Sequence, residues 1–168
     1  MKTHTIQNVS KQLRAVAVIL FIFISSALSA QSAQTEVEII QEAFGLEKKV
    51  AIANFMNSGE EAEDFWAIYD EYEAARRKLG NDRINVIQEY AANYANLSDE
   101  KILELFKKTS AVKKSLAKLQ RTYFNKMKKE VGVSKAAQFW QFETYLNSII
   151  QVSIYSQIPF VGENLSGN

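Results

Sequence analysis

The densest group of residues capable of chemistry in this chain is acidic. Its members are four carboxylates within five positions: Glu60, Glu61, Glu63 and Asp64. Carboxylate oxygens bind hard cations such as calcium, but a calcium loop spaces its ligands along an irregular segment. Here the acids follow Ser58 in an S-x-x-E capping pattern, which starts a helix whose dipole favours negative charge. The pattern therefore predicts solvated acids at a helix N-terminus and no metal site.

The side chains that most enzymes use as nucleophiles or soft metal ligands are missing from most of the sequence. Its only histidine is His4, and it has no cysteine. Beyond His4 this excludes disulfides, thiol catalysis, Ser-His-Asp triads and Cys/His zinc sites. No pair of carboxylates lies in a recognisable acid/base context. We therefore expect no enzyme and no cofactor.

The first thirty residues have the three-part pattern of a secretory signal peptide. A basic region contains Lys2, Lys11 and Arg14, and it is followed by the apolar segment 15–24 and the small-residue segment 25–30. Cleavage is predicted after Ala30, or alternatively after Ser29, and retention of the segment as an anchor is the other interpretation. Since a membrane span needs about 20 apolar residues, we expect no stable membrane insertion after cleavage. The predicted location is the periplasm.

The charge of the exported part gives no electrostatic argument for binding nucleic acid. Removing Lys2, Lys11 and Arg14 from the 20 basic residues leaves 17, against 19 acidic residues, a net charge of about −2. Proteins that bind nucleic acids need an excess of basic residues to neutralise phosphates. We therefore expect protein partners and no nucleic acid.

The spacing of apolar residues predicts an all-α fold. The one proline, Pro159, lies near the end, and alternating strand patterns with hairpin turns are absent. Apolar residues recur at three- and four-residue steps, which is typical of helices. Four helices are predicted, over residues 36–56, 59–94, 99–130 and 135–155. The predicted helix stops are Gly132 and Pro159, and the predicted N-caps are Ser58, Ser98 and Ser134.

The second and third helices are predicted to form a long antiparallel hairpin with coiled-coil-like packing, because only a short turn separates them. The first half of the second helix is acidic and the second half of the third is basic, so antiparallel pairing brings opposite charges side by side. The two shorter helices then pack on the hairpin. We expect one all-α domain over residues 31–161 and a flexible tail over residues 162–168.

Aromatic and basic clusters on these helices are the candidate protein-binding residues. The aromatic candidates are Trp66, Tyr69, Trp140 and Phe142, and the basic candidates are Lys113, Lys114, Lys118 and Arg121. An exposed apolar patch marks a binding surface, and basic side chains attract acidic segments. The alternative for the aromatics is filling of the core. The alternatives for the lysines are a solvated face opposite the acidic residues, or contact with an anionic partner or lipid surface.

Two segments of the chain resemble the L-T-x-x-Q motif that marks helix starts in the Spy/CpxP group of periplasmic proteins. They are Leu97-Ser98-Asp99-Glu100-Lys101, with Ser for Thr and Lys for Gln, and Val133-Ser134-Lys135-Ala136-Ala137, with Val for Leu and Ala for Gln. The resemblance implies a small helical chaperone or envelope-stress adaptor. It also implies a homodimer and a cradle with an apolar and basic face.

The chain also resembles a family of uncharacterised exported proteins of Gram-negative bacteria, over nearly its whole length after the leader. The motifs that carry this resemblance are F-W-x-I-Y-x-x-Y at residues 65–72, R-x-x-x-I-x-x-Y at 83–90, K-A-A-x-F-x-Q-x-E at 135–143 and I-P-F-V at 158–161. These motifs imply a fold and no known chemistry.

Three functions follow as hypotheses. The first is a non-enzymatic, chaperone-like protein-binding module that contacts unfolded clients. The second is a regulatory subunit that docks on the periplasmic part of an envelope signalling protein. The third is a metal-stress sensor, which would have to use carboxylate oxygens and the thioethers of Met56 and Met127.

Overall fold

A computed structural model describes residues 45–56, 62–156 and 158–163. The described residues are helical almost throughout and contain no strand, which confirms the all-α prediction. Helix α1 covers residues 45–56. It is followed by α2 (Ala62–Asn93), a short 3-10 turn (Tyr94–Asn96), α3 (Asp99–Glu130) and α4 (Val133–Tyr155). The predicted signal peptide, the Ser58 capping box and the end of the tail lie outside the described residues.

The turn between α2 and α3 is built by the predicted cap. Ser98 is extended, and its hydroxyl accepts a hydrogen bond of 3.3 Å from the backbone N–H of Lys101. Hydrogen bonds from its own backbone N–H and from Ser98 lower the pKa of Glu100, as expected for a carboxylate at a helix N-terminus. The predicted N-cap is confirmed, and α3 has the predicted bounds.

One glycine ends α3 and begins α4. Gly132 has φ +84°, a left-handed conformation that is costly for residues with a Cβ. Its carbonyl accepts the first hydrogen bond of α4, 3.1 Å from the N–H of Ala136. The predicted stop at Gly132 is confirmed. The predicted N-cap at Ser134 is wrong, because the left-handed turn starts α4 at Val133 and leaves Ser134 inside the helix.

Helices α2 and α3 form the predicted antiparallel hairpin. Glu71 pairs with Lys126 and Glu89 pairs with Lys108, so the partner's number falls as the residue number rises. Helix α2 continues through Gly80 without a break. Each helix has 32 residues, so the hairpin is about 48 Å long.

The chain divides into two compact units, and the boundary falls inside α4. One unit comprises Met1–Phe55 with Gln141–Asn168, and the other is Met56–Trp140. We refer to them as the terminal unit and the hairpin unit. Each has a buried core of its own, described below, and the single domain expected over residues 31–161 stays a prediction.

Candidate functional site

The hairpin unit has an aromatic core at the end that contains the start of α2. Phe139 of α4 lies at its centre, with its ring centroid 5.7 Å from Phe65, 5.9 Å from Tyr69 and 5.5 Å from Tyr72. All three contacts are edge-to-face, which places the positive edge of one ring against the negative face of another. Such pairs add about 0.5–1.5 kcal/mol each beyond the area they bury. This end of the hairpin is therefore a closed core.

Burial removes Tyr69 from the predicted contact surface. Its side chain is 1% exposed, and it packs on Phe65 and Phe139. The sequence could not separate it from Trp66, because both lie on a helix rich in aromatic residues. Trp66 is partly exposed and meets Tyr69 edge-to-face at 5.4 Å, so it covers the core and keeps part of its indole in solvent.

Phe142 is likewise a core residue, in the terminal unit. It is 4% exposed and stacks on Phe55 of α1 with ring centroids 4.5 Å apart. Next to it in sequence, Glu143 forms an ion pair with Lys48, with Nζ 2.7 Å from Oε2 and both side chains almost fully buried. Phe142 and Tyr69 are thus corrections to the predicted contact surface: each helix turns them towards apolar neighbours that shield them.

Trp140 lies near one of the predicted basic residues, Arg121. Trp140 is partly exposed and packs on Phe124 at 6.1 Å. Phe124 lies three residues after Arg121 and therefore beside it on the surface of α3. Lys113, Lys114 and Lys118 are exposed, as is Arg121. Within the described part of the chain, none of these four cations makes an ion pair.

The other end of the hairpin is held by a closed ring of alternating charges. Lys101 bonds Glu89 across the hairpin, and its Nζ lies 3.0 Å from Oε2 of Glu104 on its own helix. Lys108 Nζ lies 2.7 Å from Glu89 Oε2 and 2.6 Å from Glu104 Oε1. Hydrogen bonds from Lys108 and Lys101 lower the pKa of Glu104 from 4.5 to about 2, and the same two lysines lower the pKa of Glu89. The carboxylates raise the pKa values of both lysines in turn.

Between the aromatic core and the turn, the hairpin leaves its apolar stripe partly uncovered. From Ala74 to Glu104 no residue is buried, and on α3 none is buried between Leu105 and Met127. We call the partly exposed apolar residues that line this stretch the hairpin seam: Leu79, Val86, Ile87, Tyr90, Val112, Leu116 and Leu119. Two helices alone cannot close a stripe that is wider than their mutual contact.

Sequence reasoning missed the seam as a candidate site. Its residues belong to the same periodic stripe as the core, and periodicity marks the face of a helix without showing what covers it. The available signal was length, since the stripe extends far beyond the aromatic cluster that can fill a core. The seam is a run of seven incompletely buried apolar or aromatic residues on the two helices.

The described residues contain no group of three or more acidic side chains placed to hold a metal ion. Of the acidic cluster, Glu63 and Asp64 are exposed in the first turn of α2, while Glu60 and Glu61 lie outside the described residues. Met127, one of the two thioethers considered for a metal sensor, is fully buried in the core. None of the described helices is long and apolar enough to cross a membrane.

Comparison with known proteins adds no relative: no family model, no curated protein and no solved structure matches the chain. The likeness to the Spy/CpxP group therefore rests on the sequence motifs alone.

Proposed function

We propose that this chain is a non-enzymatic protein-binding module of the periplasm, with a chaperone-like action on partly unfolded clients. The observation that carries the proposal is the hairpin seam. Partly exposed Leu, Ile and Val side chains in a row offer non-directional contacts, which tolerate many client sequences. A surface of this kind suits transient binding of apolar segments better than recognition of one shape.

The exposed cations of α3 support the proposal in a second way. Lys113, Lys114, Lys118 and Arg121 would speed the approach of acidic client segments through long-range attraction, an effect that weakens as salt rises. Trp66 and Trp140 would add aromatic contact area at the edges of the aromatic core, because part of each indole faces solvent. In this arrangement the charges govern the rate of encounter and the seam supplies the contact.

The test is suppression of client aggregation by the purified protein. We expect a several-fold molar excess to suppress aggregation of a chemically unfolded client, and the double variant Ile87→Asn, Leu116→Asn to lose most of this effect. The matched control is Val133→Asn, which changes an exposed apolar residue outside the seam and should act like the unaltered protein. Circular dichroism of each variant shows whether its helices persist.

Absence of suppression by the unaltered protein would contradict the proposal. If the double variant loses its helices, Leu116→Gln alone is the variant to compare with Val133→Asn. Equal suppression by a folded seam variant and the control would exclude the seam as the contact surface. Co-purification from membranes distinguishes the chaperone-like function from the alternative of a regulatory subunit. One stoichiometric membrane partner supports a regulatory subunit, and many weak partners support a chaperone-like action.

A further inference from the structure

The outward face of α3 carries more cations than the proposed client binding uses. From Leu105 through Lys129 the sequence has nine basic residues and no acidic residue. Only two of the nine, Lys108 and Lys126, pair with carboxylates of the hairpin in the described part of the chain. The other seven are left for solvent or a partner.

Four of the seven form a regular line. Lys107, Lys114, Arg121 and Lys128 are seven residues apart and all exposed. Seven residues are nearly two helical turns, so each cation lies above the last at intervals of about 10.5 Å. The line therefore extends over about 32 Å of one helix.

Two large apolar side chains lie beside the start of this line. Leu103 is 61% exposed and Phe106 is 69% exposed, and their three-residue spacing makes them neighbours. Leu103 lies about 40° around the helix from Lys107, and Phe106 flanks the line about 100° from Lys107, on the side away from Lys108. We call these two side chains and the four cations the outer strip of α3. The paired lysines, Lys108 and Lys126, lie about 100° or more around the helix from the line, so the hairpin's own carboxylates do not neutralise it.

We propose that the outer strip of α3 docks the protein on the surface of an anionic lipid bilayer. A bilayer with anionic headgroups attracts each nearby Lys or Arg, and it accepts exposed Leu and Phe side chains just below the headgroups. The strip is the convex face of a single helix. Peptides usually bind in grooves or along strand edges. A straight row of charges with exposed Leu and Phe side chains on a convex helix face instead fits the flat surface of a bilayer. Such binding is peripheral, and it can hold independently of the proposed action on clients.

The experiment measures how much of the full protein sediments together with lipid vesicles. The protein is used as recovered after expression, and mass spectrometry determines its N-terminus. We expect binding to phosphatidylcholine vesicles that contain one third phosphatidylglycerol, weak binding to pure phosphatidylcholine, and loss of binding as salt rises. The variant Lys114→Gln should lower the partition coefficient about fivefold. The triple variant Lys114→Gln, Arg121→Gln, Lys128→Gln should lower it on the order of 100-fold.

The matched control is Lys78→Gln, which removes one exposed cation from α2 on the side of Glu71 and Glu89. It should change the partition coefficient less than twofold, because Lys78 lies off the strip. A leader retained at the N-terminus would contribute equally to all variants and cancel in the comparison. Equal losses in Lys78→Gln and Lys114→Gln would overturn the proposal, since net charge alone would then explain binding.

A fluorescence measurement tests separately whether the apolar side chains of the outer strip enter the bilayer. Because the chain has no cysteine, Phe106→Cys introduces a single labelling site for an environment-sensitive dye. Its emission should shift to the blue on anionic vesicles, while a dye at Val133→Cys, outside the strip, should not respond. Unchanged emission at both sites, or no binding to anionic vesicles, would overturn membrane docking. A blue shift with soluble polyglutamate and none with vesicles would likewise overturn it and assign the strip to acidic polypeptides.

Discussion

The two ends of the α2–α3 hairpin are stabilised in different ways. The end that contains Phe65, Tyr69 and Tyr72 is closed by Phe139 of α4, so its rings are buried on every side. The turn end carries the four-membered charge ring of Lys101, Glu89, Lys108 and Glu104. One sequence pattern, an apolar stripe along two helices, thus gives a buried core at one end and a partly exposed seam further along.

This difference bears on function because exposed ion pairs can hold two helices in register without burying the apolar side chains between them. A pair between solvent-exposed charges typically contributes between zero and 1 kcal/mol, so the ring holds the two helices in register more than it stabilises the fold. At the other end, buried aromatic rings add apolar burial and edge-to-face contacts, which contribute more to stability than exposed ion pairs do. The hairpin seam can therefore stay partly exposed, because the aromatic end stabilises the unit.

The largest expected effect compares two phenylalanines. Phe139→Ala removes the ring at the centre of the aromatic core and should lower the free energy of unfolding by about 3–5 kcal/mol. Phe106→Ala, the same truncation on the exposed face of α3, should change it by less than about 0.5 kcal/mol. Urea unfolding followed by circular dichroism measures both. Equal losses would show that Phe106 is packed as tightly as Phe139.

The second comparison concerns charges. Glu73 is a buried residue of the aromatic end, and its carboxylate accepts bonds of 3.0 and 2.9 Å from Nε of Arg76 and 2.5 Å from its terminal nitrogen. Glu73→Gln removes the negative charge from this largely buried pair and should cost about 2–3 kcal/mol by urea unfolding. The control Glu104→Gln, in the exposed ring, should cost clearly less. The reverse order would place the stabilising charges at the turn end.

The third comparison uses hydrogen exchange. Backbone amides of α2 near Val86 and Tyr90, in the seam, should exchange faster than those near Ile68 and Tyr72. We expect a difference on the order of tenfold or more, because few buried contacts must break for the seam part of α2 to open. Mass spectrometry after exchange at neutral pH resolves the two segments of the helix. Uniform protection along α2 would mean that the whole hairpin opens as one cooperative unit.

The smallest effect is a change in acid stability. The folded-state pKa of Glu104, about 2, lies below its ordinary value of 4.5, so between these values the unfolded chain binds more protons. The ring therefore contributes fully above pH 4.5 and loses its contribution as the pH falls towards 2. Comparing urea midpoints at neutral pH with those at about pH 3, the unaltered protein should lose more stability than Glu104→Gln. Parallel losses in the two proteins would show that other carboxylates govern acid unfolding.

Predictions that rest on neighbouring residues proved the most accurate. The start of α3 at Asp99, its Ser98 cap and the stop at Gly132 all follow from side chains or glycine conformations within a few positions. The predicted N-cap at Ser134 was wrong because the left-handed Gly132, a second local signal, starts α4 one residue earlier, at Val133. Burial was less predictable: Tyr69 and Phe142 were expected at a surface but lie in cores.

The sequence by itself determined that the described chain is helical, where α3 begins and ends, and that α2 and α3 pair in antiparallel order. It could do so because caps, glycines and apolar periodicity act over a few residues, and a short turn allows only one pairing direction. Only the tertiary structure decided which part of the stripe becomes core and which stays open. Burial depends on the elements that cover a face: Phe139 reaches Tyr72 across more than sixty positions of sequence, and Tyr72 is buried, whereas Leu79, Val86 and Ile87 stay partly exposed.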